Sequence, residues 1–402
     1  MKGIADSMKL QRPGFMRALC GALVTTLVAV AAPAHAADPF EIDAVLPLTG
    51  SGSFLGREEA QSLRVIEGIV NKTGGIRGRS IAFNVVDDQS NPQIGVQLTN
   101  ALIAKHVSVV FGSGLTSVCN AMTALAKDGP VEYCFSTGIH PPDGSYVFSA
   151  GLSTTDLIAV GVRYIRERGL KRVAVITSTD ATGQDADRII DSVFAAPENA
   201  ALKIVSREHF GISDVSVAAQ MAHARTSGAQ ILIGWTTGTP LGTLLHGALD
   251  AGVDIPIMTG TGNLTYAQMQ AYKSFMPREL LFPGIPALVP DELPSGPVKR
   301  AVGRFRTVFQ TAGIRPDLGH ALPWDPAAMV IEAFRKYGTG ATPAQIREYL
   351  AGVRHWDGVF GQFNFAAVPQ RGVGANSVIV ERWDPAQDTW VAVSGPGGQP
   401  RR

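Results

Sequence analysis

Two short stretches rich in glycine and hydroxyl residues carry most of the chemistry in this sequence. Residues 47–56 read Pro-Leu-Thr-Gly-Ser-Gly-Ser-Phe-Leu-Gly, and residues 112–117 read Gly-Ser-Gly-Leu-Thr-Ser. Each follows a short apolar run and precedes a run with apolar residues at helical spacing. The second loop opens its helix directly, leaving backbone N–H groups free at the N-terminus with hydroxyls beside them. That combination seats a carboxylate. The plainer alternative is that Thr116 or Ser117 only caps the helix. The Gly112-x-Gly114 pair lacks the third glycine of a dinucleotide loop.

Catalysis has little to stand on. The sequence has no G-x-S-x-G elbow, no H-E-x-x-H and no Cys/His metal spacing. Asp87-Asp88 closes an apolar run and is better placed to accept backbone amides than to hold a metal. The reading is a binding protein rather than an enzyme, with no cofactor and no metal.

The elements that must position these loops alternate regularly. Residues 42–46 form an apolar strand. Leu63, Ile66, Ile69 and Val70 repeat at helical spacing within residues 58–70, and 81–86 form a second strand. Further strands fall at 107–112, 131–135 and 147–150, with helices at 115–127 and 155–168. The rhythm restarts near Leu170, with strands at 172–177, 203–209, 231–235 and 255–259 and helices at 183–194, 215–226 and 241–251. Repeated β–α–β with apolar strands means parallel sheets covered on both faces. Two similar doubly wound α/β domains follow. Residues 281–297 are proline-rich and read as a crossover or surface segment. Helices at 298–312, 324–337 and 343–352 precede short strands at 361–365 and 377–383, and residues 394–402 read as a loose tail.

The totals agree. The chain has 402 residues, 45% hydrophobic and 17% charged, which suits two domains. Lys9, Arg12 and Arg17 precede an apolar stretch at 19–32 and then Ala34-His35-Ala36. This is the pattern of a signal peptide over residues 1–36, cut after Ala36, and the apolar stretch is short for a membrane span. Cys20 lies within it without a lipid-attachment motif. Loss of this segment takes the formal charge from +1 to about −2, which suggests neither nucleic acid nor a membrane surface as partner. Cys119 and Cys134 remain. In an oxidising compartment they permit a disulfide, with two buried thiols as the alternative.

The run from Glu41 to Pro92 resembles the opening of periplasmic solute-binding proteins of ABC transporters, of the leucine/isoleucine/valine-binding type. The matching motifs are Pro47-Leu48-Thr49-Gly50, Gly56, Asn71 with Gly74-Gly75-Ile76-Arg77-Gly78-Arg79, and Asp87-Asp88. The resemblance implies a type I periplasmic binding protein with two lobes joined by a hinge that the chain crosses three times. The expected boundaries are 37–155 plus about 286–358 for one lobe, and about 156–285 plus 359–393 for the other. It implies a monomer in the periplasm that delivers a ligand to a membrane ABC permease. By position it also implies ligand contacts at Thr116 and Ser113, at Ser136 and Thr137, and at Phe54 and Leu55 of the first loop. His140 reads as a solvated loop residue.

The second lobe departs from the family pattern. Thr182-Gly183 stands where a Tyr-Gly pair is common, and Thr239-Pro240 stands where the amino-acid binders carry an acid for the ligand's ammonium. A buried ammonium without a counter-charge is costly. An amine-free carboxylate, aromatic or aliphatic, therefore suits these residues better than an amino acid, unless Asp180 or Asp185 supplies the charge. The expected contacts on this side are Thr182, Trp235, Thr236, Thr237 and Asn263, with Trp235 equally readable as core. The rival functions are an exported ligand-sensing subunit of a membrane receptor and an exported α/β enzyme.

Overall fold

The computed structural model describes residues 38–401, so the expected signal peptide lies outside the described residues. The first half runs β1 (Phe40–Leu46), α1 (Ser53–Lys72), β2 (Ile81–Asp87), α2 (Pro92–Ala104), β3 (Val109–Gly112), α3 (Thr116–Thr123), β4 (Val131–Cys134) and β5 (Val147–Ser149). These five strands form a parallel sheet in the order β2-β1-β3-β4-β5. Its central strands are buried end to end, as two helical layers require.

The chain then builds a second sheet. Its elements are α4 (Thr154–Glu167), β6 (Arg172–Ser178), α5 (Ala181–Phe194), β7 (Lys203–Phe210), α6 (Ala218–Thr226), β8 (Ile231–Trp235), α7 (Pro240–Asp250), β9 (Ile257–Thr259), α8 (Tyr266–Ala271) and β10 (Leu280–Gly284). It returns to the first sheet with α9 (Pro297–Thr311), α10 (Leu318–Tyr337), α11 (Pro343–Gly352) and a small ribbon, β11 (Trp356–Asp357) and β12 (Gln362–Phe363). Phe334 of α10 meets Phe40 of β1 edge to face at 4.9 Å, and Phe305 and Phe309 of α9 pack on Trp324 of α10. Finally β13 (Ile379–Asp384) and β14 (Thr389–Pro396) add antiparallel strands to the second sheet, whose order is β14-β13-β10-β9-β8-β6-β7.

Four expectations need correction. The helix α1 starts at Ser53, so Phe54 and Leu55 lie in its first turn rather than in a loop. Leu280–Gly284, expected at the edge of a crossover, is the buried strand β10. Its Pro283 lies past the parallel pairing with β9, which involves only Leu280 and Leu281, and stands opposite Val380 of β13. Residues 362–371, expected with the second sheet, lie on the first: Gln370 O accepts the Ser149 N–H at 2.9 Å, and Phe365 packs on Phe148. The tail is not loose, because residues 394–396 belong to β14 and Gly397 N donates to Val378 O at 2.7 Å.

The helices α2 and α8 escaped the sequence pattern, and α10 starts earlier than the expected residue 324. The helix α2 begins at Asn91-Pro92, where the Asn91 side chain caps two N–H groups and proline occupies the first turn. The helix α10 starts at Leu318 and runs through Pro323 and Pro326. Its buried face against α1 and α9 outweighs the hydrogen bonds that the prolines forgo. No helix among the described residues is long and apolar enough to cross a membrane.

Candidate functional site

Loops at the carboxyl ends of both sheets meet one another. On the first side, Asp87 organises the entry loop. Its Oδ1 accepts the N–H groups of Leu48 (3.0 Å), Thr49 (3.2 Å) and Gln89 (2.8 Å), and its Oδ2 accepts the Thr49 hydroxyl at 2.7 Å. These bonds hold the Asp87 carboxyl below the usual range despite some burial. Ser90 Oγ donates to Thr49 O at 2.7 Å and accepts from Gly52 N at 3.0 Å. Asp88 takes the Ser90 N–H at 2.7 Å. Burial pushes its pKa to about 6, against hydrogen bonds from Ser113 and Ser90. The acid pair thus ties loops down through backbone amides.

The hydroxyl pair expected from sequence does come together. Thr116, the first residue of α3, and Ser136, just past β4, lie 2.8 Å apart oxygen to oxygen, both nearly buried. Gly138 N donates to Ser136 Oγ at 3.2 Å. A Cβ on Gly138 would stand 2.5 Å from Thr116 Oγ1, so glycine is needed for this approach. The helix N-terminus and two hydroxyls thus stand together, the arrangement that the sequence reading expects for a carboxylate. Ser113 does not join it. Its hydroxyl turns back to the Leu115 N–H at 3.2 Å and to Asp88. Leu55 packs on Gly114, and Phe54 meets Tyr272 of the opposite side at 6.2 Å.

The seat is braced from behind. Cys119 of α3 and Cys134 of β4 form a disulfide with Cα atoms 6.2 Å apart. The bridge fastens the helix that carries Thr116 to the strand that precedes Ser136. Arg371, which the sequence did not flag, is nearly buried and donates to the carbonyls of Thr137 (3.4 Å), Ile139 (2.7 Å), Ala150 (3.5 Å) and Gly151 (3.3 Å). It fixes the 137–139 loop and places a cation beneath it. Burial lowers its pKa to about 10. Glu59 also went unnoticed in the sequence. It is fully buried beside Gly114, both its oxygens lack a partner, and burial with the nearby Asp88 charge drives its pKa well up.

On the second side, Asp180 caps α5 by accepting the Gly183 N–H at 3.3 Å, with Thr182 in that first turn. The same Oδ1 also accepts the Ser178 hydroxyl at 2.5 Å, so that oxygen is committed to the start of α5. Thr236 Oγ1, at the end of β8, is buried and has no partner, so it can still serve a ligand. Thr237 packs on Gly262, and Trp235 is nearly buried against Gly260. Asn263 differs from expectation. Its Oδ1 accepts from Gly238 N (2.9 Å) and Gln268 Nε2 (3.2 Å), and its Nδ2 donates to Thr236 O (2.7 Å) and Thr259 Oγ1 (3.3 Å). With its amide fully used, Asn263 shapes the 236–238 turn and has no capacity left for a ligand.

The two sides touch. Thr239 N donates to Ser51 O at 3.0 Å, beside Gly238 with φ +85°. His140 is exposed, as expected, and also reaches across to Asp185 of α5 with Nε2 2.9 Å from Oδ1. Asp185 also pairs with Arg188, and its Oδ2 stays buried without a partner. A lone histidine gives no sequence signal of such a cross-cleft contact.

Two wound sheets sharing a cleft at their carboxyl ends define the architecture of a type I periplasmic binding protein. A profile for periplasmic binding proteins matches residues 39–388, and the chain belongs to that family, one of solute-binding proteins rather than enzymes. A Leu/Ile/Val-binding protein homolog of Brucella melitensis is 22% identical over 226 residues, 55% of this chain and 61% of that protein. The matched stretch thus spans about three fifths of that relative's length. A solute binding protein of Rhodopseudomonas palustris in complex with benzoate has the same fold, with a TM-score of 0.71 and 19% identity over 89% of this chain and 96% of its own. So does a branched-chain amino acid transporter substrate binding protein of Streptococcus pneumoniae in complex with isoleucine, with a TM-score of 0.74 and 18% identity over 88% and 98%.

Proposed function

We propose that this chain is the substrate-binding component of an ABC importer, capturing a small carboxylate-bearing solute in the cleft and passing it to a membrane permease. The moving parts are two lobes, one around each sheet, that close on the ligand. The protein acts as a monomer in the periplasm, exported by a signal peptide cut after Ala36. The observation that carries the reading is the Thr116–Ser136 hydroxyl pair at the start of α3. The ligand class follows from the second side, where Thr239 and Pro240 begin α7 and offer no carboxylate to an ammonium. Arg371 beneath the loop adds positive charge and also favours an anion. Asp185 Oδ2 is the one buried acid oxygen without a partner on the second side described above, and Arg188 already pairs with that carboxylate. An amine-free acid, aromatic in the first instance, suits this set. The benzoate-bound relative of the same fold is consistent with that preference.

Thermal unfolding of the purified protein against benzoate-type acids, aliphatic acids and leucine-type amino acids tests the reading. A bound ligand raises the melting temperature by mass action. A rise with amine-free acids alone is expected. A rise with leucine-type amino acids alone would overturn the ligand class, and no rise with any of them would favour a sensing subunit.

A further inference from the structure

Two contacts described above join the halves of the molecule, and they flank the hydroxyl pair. At one, Thr239 N, past β8, donates to Ser51 O, past β1, at 3.0 Å. At the other, His140 Nε2, past β4, stands 2.9 Å from Asp185 Oδ1 on α5, the helix that follows β6. In the first sheet β3 lies between β1 and β4, and in the second β8 adjoins β6. The loop that leads from β3 to Thr116 therefore has one contact on each side of it. The first contact joins backbone to backbone. The second joins two side chains, so it can be removed without touching the main chain.

Each partner of the second contact is fixed to its own half. On the first side, Arg371 donates to Thr137 O at 3.4 Å and to Ile139 O at 2.7 Å, and Ile139 is buried against Cys119 and Cys134. On the second, Asp185 lies in the second turn of α5, whose start is capped by Asp180. Neither residue can follow the other if the halves part. The Asp185 side chain is 3% exposed, whereas those of His140 and Arg188 are 46% and 74% exposed. Arg188 stands three residues on in the same helix and reaches the same Oδ1 at 2.9 Å, so its bond survives any movement of α5 as a body. His140 comes from the other half. A carboxylate buried this far is costly unless it is hydrogen-bonded, and its Oδ2 already lacks a partner. His140 supplies a bond that exists only while the halves touch.

We propose that His140 and Asp185 form a latch across the cleft, made when the two lobes close and broken when they open, which sets the closed share of the protein and with it the residence time of a bound solute. The latch rests on the capture reading above, in which the lobes move, and is independent of which acid is captured. Opening breaks the His140 bond and leaves Arg188 with Asp185, so the latch adds only to the closed form. Affinity for a solute held by the closed form scales with the share of protein already closed. The hydroxyl pair does not need the latch, because Thr116 and Ser136 bond to one another and Ser136 to Gly138. His140 and Asp185 thus act on how long the cleft stays shut, and the choice of ligand stays with the walls.

The test follows the distance between the lobes by single-molecule fluorescence transfer. Dyes are carried on Lys105→Cys, just after α2, and Lys203→Cys, at the start of β7, both exposed and at the sheet ends away from the cleft, with the native disulfide intact. The protein is measured alone and with benzoate. The parent should exchange between a short and a long distance. His140→Ala should lower the ratio of closed to open protein about tenfold, and Asp185→Asn, which keeps an acceptor without its charge, by a smaller factor. Arg188→Ala removes the partner on the same helix and should not lower the ratio. All three variants should still unfold cooperatively in urea. An exchanging parent whose ratio is unchanged in both His140→Ala and Asp185→Asn would overturn the latch alone, as would an Arg188→Ala loss equal to that of His140→Ala. A parent fixed at one distance with and without benzoate would overturn the latch and the capture reading together.

Discussion

The two sides of the cleft are built differently. The first is held by a dense set of bonds: Asp87, Asp88 and Ser90 on the entry loop, a disulfide behind Thr116 and Ser136, and Arg371 under residues 137–139. The second is lighter. Asn263 shapes one turn, Asp180 caps one helix, and Thr236 Oγ1 and Asp185 Oδ2 are left unpaired. A wall braced this densely holds its hydroxyl pair in place before a ligand arrives, although Glu59 behind it keeps both oxygens unpaired. A wall with orphan groups sets which ligand is accepted, because each unpaired atom penalises the wrong partner. On the proposed function, common chemistry falls to the first side and selectivity to the second.

Breaking the first side should cost stability. Arg371→Met removes a buried cation and leaves four carbonyls short of a donor, so a loss of about 3–5 kcal/mol is expected in urea unfolding. A smaller loss than this would show that water replaces the guanidinium. Cys119→Ser with Cys134→Ala opens a bridge with a sequence separation of 15, for an expected loss of about 3 kcal/mol. Reductant should reproduce that loss in the parent and leave the variant unmoved.

A pH series sharpens the same contrast. Asp325 of α10 accepts the Val359 N–H at 2.8 Å, and its burial lifts the pKa from 3.8 to about 7. A raised acid binds its proton more tightly when folded, so its contribution is complete below about pH 4 and is lost as pH rises through 7. The parent should lose a few kcal/mol over that window, and Asp325→Asn should flatten the loss. Equal slopes for both proteins would place the titration elsewhere.

The smallest effects should fall on ligand binding alone. Thr116→Val with Ser136→Ala should weaken binding of the acid found in the unfolding panel by about tenfold or more, with little change in stability. Thr236→Val should alter the ranking of acids rather than the affinity for all of them. A uniform drop would move Thr236 to the general seat.

How far the sequence reached follows the same division. The entry loop, the Asp87-Asp88 pair and the Thr116 and Ser136 hydroxyls were legible because motif and element agree locally. Arg371 was not, since it lies in an ordinary polar turn and acts on residues more than two hundred positions away. Asn263 was read as a contact because its glycine-rich surroundings suggest a loop, while its bonding became visible only with Gly238 and Gln268 in place. The first turn and a half of Leu318–Tyr337 is not legible because Pro323 argues locally against a helix that packing sustains.

The way the chain threads between the sheets bears on biogenesis. The first sheet is formed by residue 149, but helices that cover it and the residues that brace its loop arrive with segments 297–352 and 362–371. The second sheet in turn lacks two of its strands until residue 396. Neither half can therefore finish before nearly the whole polypeptide has been delivered. A chain delivered end first spends that interval with apolar faces uncovered, so its yield should depend on how fast synthesis brings in the last hundred residues.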